Sequence, residues 1–378
     1  MKKINDVFAL LFSFLLLVSS GQWAMAQYET VVTDAGAVKV ENLWEGLEHP
    51  WSMAFLPDGR MLVTERPGRL KIFNLSDSSM SEPLQGVPEV FDKGQGGLLE
   101  VALHPDFENN RMIYLSFAEP GEDSTASTAL GRGVLEDDQI RDFEVIFSQE
   151  PKVEGPNHFG GRIVFTEDDK LFLTLGERYK FEPAQNLSNH LGTIVRLNLD
   201  GSVPEDNPFV NDADAEAEIW SYGHRNIESA AIDPNTGKFW VAEMGPLGGD
   251  ELNQPEAGIN YGWPEVSWGQ NYDGTDIPDP PTQPEFTDAV IQWTPTISPS
   301  GMIFYDGDVY TEWQGSALIG GLTASGLVRV STNGEQAEEV ERIPLGARIR
   351  DVQQGPEGSV YVITDEEEGH LWKISPLE

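Results

Sequence analysis

The sequence contains no cysteine, so neither disulfides nor thiolate metal sites hold its fold. Cations are also scarce: 24 Lys and Arg stand against 63 Asp and Glu, a formal charge of −39. That balance argues against nucleic acid and anionic membrane surfaces as partners. The six histidines show no HExxH or other paired spacing, which argues against zinc. Helical signals are almost absent, because 38 glycines and 25 prolines punctuate nearly every candidate segment. No apolar run reaches the ~20 residues that span a bilayer. The nearest, Val7 to Val18, follows Lys2 and Lys3 and precedes Ala24-Met25-Ala26, the small-x-small pattern of a signal-peptidase site. We therefore expect residues 1–26 to be a signal peptide and residues 27–378 to be the mature chain, secreted to the periplasm without membrane insertion.

What the sequence does contain is a repeat. Trp51-Ser-Met-Ala-Phe55, the turn Pro57-Asp58-Gly59 and Met61-Leu-Val-Thr64 read as strand, tight turn, strand. The pattern recurs five times, with turn residues Asp58, Asp106, Asp168, Asp233, Asp306 and Glu357 spaced 48, 62, 65, 73 and 51 residues apart. A four-stranded propeller blade takes roughly 40–50 residues, so the spacing predicts six blades with insertions. The expected architecture is all-β: one six-bladed β-propeller of four-stranded antiparallel blades. An N-terminal strand from Thr30–Val32 or Val38–Leu43 should complete the last blade beside His370–Ile374, removing exposed edges. A β-sandwich pair is the competing architecture.

Ligands of propellers sit at the channel mouth, on loops ahead of the inner strands. Gly94-Gln95-Gly96-Gly97, Asn157-His158, His224-Arg225-Asn226 and Arg348-Ile349-Arg350 occupy such positions. His158, between glycines, is a candidate general base, and a strand-capping histidine is the other reading. Arg348 and Arg350 alternate to one side of a strand and suit a multiply charged acidic ligand; a pair of ion-pairing surface arginines is the alternative. In Glu243–Asn253, backbone carbonyls freed by Gly245 and Pro246 join Asp250, Glu251 and Asn253 as oxygen donors for a hard cation, or form a solvated acidic loop.

Taken in order, Gly94-Gln-Gly-Gly-Leu-Leu, Asn157-His-Phe-Gly-Gly-Arg, Tyr222-Gly-His-Arg-Asn226, Gly245-Pro-x-Gly-Gly-Asp-Glu-Leu-Asn253, Asn260-Tyr-Gly-Trp-Pro264, Trp293-x-Pro-Thr296 and Arg348-Ile-Arg-Asp-Val352 resemble the soluble aldose sugar dehydrogenases, which use pyrroloquinoline quinone (PQQ). The resemblance covers essentially the whole mature chain and implies a six-bladed propeller. It implies oxidation of aldose sugars at C1 to lactones, with hydride passing to the quinone and electrons to a quinone or cytochrome acceptor. His158 is implied as the base, with Arg225 beside it keeping the imidazole neutral. Gln95, Arg225, Asn226, Trp293, Thr296, Arg348 and Arg350 are implied as cofactor contacts. Gly245 and Pro246 are implied to hold a calcium ion on the cofactor, and Glu251 and Tyr261 a second, structural one. The assembly is expected to be a monomer or homodimer.

The chain departs from the family pattern at four places. Met244 stands where a histidine is frequent, Ile227-Glu228-Ser229 replaces Pro-Gln-Gly, Thr323 replaces a cofactor-binding lysine, and Asn157 stands where relatives carry an aspartate. Loss of the lysine predicts weaker PQQ retention. Asn157 leaves no obvious carboxylate for the base, so His158 is expected to be neutral, tuned chiefly by Arg225 and calcium. Two other classes remain open on the residues alone: a calcium-dependent lactonase-type hydrolase, and a non-catalytic sugar- or protein-binding propeller.

Overall fold

In the third repeat the apolar strands Gly160–Phe165 and Lys170–Leu175 pair antiparallel across the Asp168 turn, and Thr193–Asn198 and Ile219–Tyr222 extend them to a four-stranded sheet. The other repeats do the same in this computed structural model, which describes residues 28–377. The expected signal peptide lies outside the described residues. Inner strands Pro50–Phe55, Leu98–Leu103, Gly160–Phe165, Ile227–Ile232, Pro299–Phe304 and Ile349–Gln354 touch one another in cyclic order, closing a six-bladed propeller. The sandwich alternative is thereby excluded. Among the described residues the one α-helix is the four-residue Phe107–Asn110, and no helix is long and apolar enough to cross a membrane.

Apolar side chains alternate along each strand and fill the wedges between blades. Trp240, Leu252 and Trp293 of blade four pack on Met302, Ile319 and Val328 of blade five. Each such aliphatic side chain, fully buried, contributes about 1.5–3 kcal/mol. Closure follows the expectation: Gly36–Leu47 pairs with Gly369–Pro376 as the fourth strand of blade six, with Val38 opposite Pro376 and Leu47 opposite Gly369. Tyr28–Thr33 adds a fifth strand outside it.

All six turn residues lie between first and second strands, at one end of the ring. The opposite end is the mouth, where inner strands begin and second strands finish. Below it, the Arg162 guanidinium crosses the channel. It donates to Asp351 Oδ1 at 3.0 Å and to the Glu228 carbonyl at 2.7 Å, and lies 4.1 Å from the Trp51 ring. Glu100 Oε2 accepts the Ile163 N–H at 2.5 Å, while its Oε1 stands 3.7 Å from Arg162. Burial pushes the Glu100 carboxyl up to about 7, against the pull of Arg162.

A 37-residue insertion, residues 254–290, separates the last two strands of blade four. It runs along the outer strand of blade three, where the Gly258 and Tyr261 N–H groups donate to the Trp220 and Tyr222 carbonyls. It thereby delivers Trp263 and Tyr272 to the mouth.

Candidate active site

His158 sits at the mouth ahead of the inner strand of blade three, 5% exposed, in the left-handed region at φ 54°. Such a conformation is unusual without glycine and persists only where neighbours enforce it. Arg178 does so. Its guanidinium donates to the Asn157 and Ala126 carbonyls at 3.0 and 2.7 Å and to that of Gly155, and stacks 3.6 Å from the Phe159 ring. Gly176 permits the close approach, since a Cβ there would lie 2.1 Å from the His158 carbonyl.

The imidazole Nδ1 is 2.5 Å from Glu177 Oε1, so this carboxylate fixes the tautomer with the proton on Nδ1 and the lone pair on Nε2. Nε2 has no hydrogen-bond partner among the described residues. Burial lowers the His158 pKa; Glu177 opposes this and the Arg225 charge adds to it, leaving the net direction downward. Burial acts to raise the Glu177 carboxyl, but His158 and the Phe181 and Lys180 N–H groups hold it below its ordinary value. The neutral base was expected; its carboxylate partner was not. Asn157 is irrelevant to that question, because Glu177 arrives from the end of the second strand, and burial outweighs Arg225.

Gln95 joins His158 directly, its side-chain oxygen accepting the His158 N–H at 2.6 Å. Asn226, fully buried, accepts the Gly160 N–H at 3.1 Å and donates to Glu228 Oε1 at 3.0 Å. Arg225 is 3% exposed and donates to the Met244 and Gly245 carbonyls at 2.8 and 2.9 Å and to the Tyr272 hydroxyl at 3.3 Å. Its backbone is set by Glu243, which accepts the Arg225 N–H at 2.7 Å and bonds His224 Nδ1 at 3.0 Å.

Arg348 and Arg350 do point to one side: both guanidiniums reach Asp365, at 2.7 and 3.1 Å. Arg350 also pairs with Glu228. The ion-pairing alternative thus describes their present partners, since protein carboxylates neutralise the pair. Thr296, in the loop ahead of blade five, meets Thr323 from the turn after that blade's second strand, Ser316–Gly321, the Thr323 hydroxyl donating to the Thr296 carbonyl at 2.9 Å. Trp293 is a correction. It is 4% exposed in the wedge between blades four and five, its indole N–H donating to Glu339 at 2.7 Å, so it does not line the mouth.

The two cation sites fare differently. The Gly245 carbonyl accepts from Arg225, whose charge opposes a dication at that oxygen as arranged. Around Glu251 the donors fit. A cavity of about 20 Å³, water-sized, is lined by Glu243, Glu251, Tyr261 and Ser267, with Arg225 and Gly245 also lining it. Burial and then the Glu243 charge push the Glu251 carboxyl well up, while Asn253 Oδ1 is buried without a partner. Two crowded carboxylates are what a hard cation satisfies; Asn253 Nδ2 donates to both at 3.2 Å, so its Oδ1 points away from them. Burial raises the Tyr261 phenol, whose O–H donates to the Gln254 carbonyl, so Tyr261 would serve through its main-chain oxygen.

The anionic quinone also finds matching donors, because Arg225 Nε is buried without a partner and the guanidinium has no carboxylate neighbour in hydrogen-bond contact. Residues missed by the sequence reading share a position. Arg66, Glu177 and Asp365 each lie one or two places beyond the end of a second strand, at Glu65, Leu175 and Thr364. Register would have found them: the second strand ends where the next inner-strand loop begins.

The family model described as Glucose / Sorbosone dehydrogenase matches residues 47–373. The chain belongs to that family. It is 44% identical over 369 residues to the aldose sugar dehydrogenase YliI of Escherichia coli, covering 96% of this chain and 97% of that one. Quinoprotein glucose dehydrogenase B of Acinetobacter calcoaceticus is 28% identical over 408 residues, 84% of each chain. Among solved structures, the apo-form of the soluble E. coli aldose sugar dehydrogenase superposes with a TM-score of 0.85, covering 90% of this chain and 100% of that one. The PQQ-bound aldose sugar dehydrogenase of Streptomyces coelicolor, 27% identical, gives 0.73 over 93% and 99%.

Proposed function

We propose that this family member oxidises aldose sugars at C1 to lactones, with PQQ and calcium as cofactors. The observation that carries the reading is the His158–Glu177 pair beside Arg225, an oriented neutral base next to a guanidinium with no carboxylate partner. PQQ, when bound, supplies the hydride acceptor. Every other role falls to the chain. His158 Nε2 takes the proton of the C1 hydroxyl, and Glu177 stabilises the imidazolium that forms. Gln95 fixes the backbone of the base through the His158 N–H, and Arg178 holds the loop that presents it. Burial keeps the imidazole unprotonated near neutrality, ready to accept. Arg225 and Asn226 are cofactor contacts in this reading, and Glu243, Glu251 and the Tyr261 carbonyl hold a structural cation, with Asn253 orienting the two carboxylates. A periplasmic location after cleavage at Gln27 belongs to the same proposal.

The test mixes purified protein with calcium and PQQ, adds an artificial electron acceptor and follows dye reduction with a panel of aldoses. Reduction with at least one aldose, abolished in His158→Gln while PQQ still binds, supports the reading. No reduction with any sugar, together with lactone hydrolysis in the absence of PQQ, refutes it.

A further inference from the structure

Four guanidiniums face the mouth: Arg66, Arg225, Arg348 and Arg350. Their partners divide them into two classes. Arg348 and Arg350 are held by Asp365 and Glu228, two positive charges against two negative. Arg225 and Arg66 have only neutral acceptors, the Met244 and Gly245 carbonyls and the Tyr272 hydroxyl for Arg225, and the Gly94 carbonyl for Arg66. Each of the two also has its Nε shut off from solvent with no acceptor. A buried donor left without an acceptor is costly, more so on a charged group. An anion arriving at the mouth therefore gains most at these two arginines, and least at the neutralised pair.

From this division we propose that Arg66 is an anchor for a carboxylate of the quinone cofactor, paired functionally with Arg225 on the other side of the mouth. The proposal rests on the PQQ reading above. Arg66 immediately follows the second strand of blade one, Met61–Glu65. Its main chain is locked there, the N–H donating to the His49 carbonyl at 3.1 Å and the carbonyl accepting the Leu98 N–H at 2.9 Å. Its bond to the Gly94 carbonyl ties it to the loop of Gln95, which in turn holds His158. The charged groups it faces are Arg350, Asp365, Asp92 and Glu228. Of these, Arg350 repels it and has already claimed Glu228 and Asp365, and Asp92 makes neither a hydrogen bond nor an ion pair with it, so a carboxylate in contact with the guanidinium is the missing partner. A guanidinium offers a carboxylate N–H donors in a fixed fork, and Arg66 Nη2 makes no hydrogen bond among the described residues.

The test is equilibrium binding of PQQ to the metal-loaded apoprotein, read by quenching of tryptophan fluorescence, for the parent, Arg66→Gln, Arg66→Lys and Arg348→Gln. Arg66→Gln should weaken Kd by about 10–100-fold, as expected for a charge-assisted contact, and by more than Arg348→Gln. Arg66→Lys, which keeps the charge and loses the fork, should fall between. A Kd for Arg66→Gln within twofold of the parent overturns the assignment while leaving the quinone reading intact. No PQQ binding by the parent sinks both. Should Arg66→Gln fail to fold, Arg66→Lys carries the test, and a parent-like Kd then overturns the proposal.

Discussion

Glu100 gives a stability prediction whose size follows from its surroundings. The carboxyl is held at about 7 in the folded channel against 4.5 ordinarily. A carboxyl whose folded pKa is raised binds its proton more tightly when folded, so its contribution is fully present below pH 4.5 and is lost as pH rises through 7. The gap of 2.5 units corresponds to about 3.4 kcal/mol at ~1.36 kcal/mol per unit. The side chain is still 13% exposed to the channel, which trims the figure to about 2–3 kcal/mol. Glu100→Gln keeps the uncharged form at every pH and can still accept the Ile163 N–H. It should match the parent near pH 4 and exceed it by about 2–3 kcal/mol at pH 8. With an unfolding entropy of ~2.1 cal/mol/K per residue over about 350 residues, that is roughly 3–4 °C in Tm. Asp351, also raised by burial, is common to both proteins and cancels. Urea and thermal unfolding of both proteins from pH 4 to 8 measure the difference. A pH-independent gap, or a less stable variant at pH 8, would show that Glu100 is ionised in the folded channel and that the burial argument is wrong.

Other sites make separate predictions. Glu177→Gln should lower kcat by about 10²–10⁴-fold. It should also move the acidic limb of kcat/KM to lower pH, because Glu177 is what raises the His158 pKa; an unmoved limb would mean the pair does not form. Trp293→Phe should cost about 1 kcal/mol through its lost bond to Glu339, with PQQ affinity unchanged, and a large change in affinity would return Trp293 to the pocket. Chelator should lower Tm in the calcium-loaded parent but not in Glu251→Gln, as read by melts with and without EDTA; equal responses would place the cation elsewhere.

The propeller was legible because its information is local. Asp58 with Gly59 and its counterparts mark hairpins, and six hairpins imply six blades whatever joins them. Gln95, His158, Arg225 and Asn226 were legible for the same reason, since each lies directly ahead of an apolar inner strand. Glu177 and Asp365 were not, because they act on residues 19, 17 and 15 positions away through strand pairing, which composition does not show. Trp293 failed differently. Its neighbours Pro295 and Thr296 matched a family motif, but strand alternation turned the indole into the wedge between blades. Arg348 and Arg350 were read correctly for direction, but their carboxylate partners were not legible, because Glu228 is one residue into a strand of a distant blade and cannot be paired with Arg350 from sequence.

The joint between Gly36–Leu47 and Gly369–Pro376 makes ring closure the last event available to the growing chain. Residues made first must wait for residues made last, with blade one and blade six unjoined until then. Arg66 lies on one side of that seam, and Arg348, Arg350 and Asp365 lie on the other. The charged rim of the mouth thus has no existence in a partly made chain. An anion held between Arg66 of blade one and Arg225 of blade four would tie opposite sides of the ring, so its retention and the resistance of the ring to opening should rise and fall together.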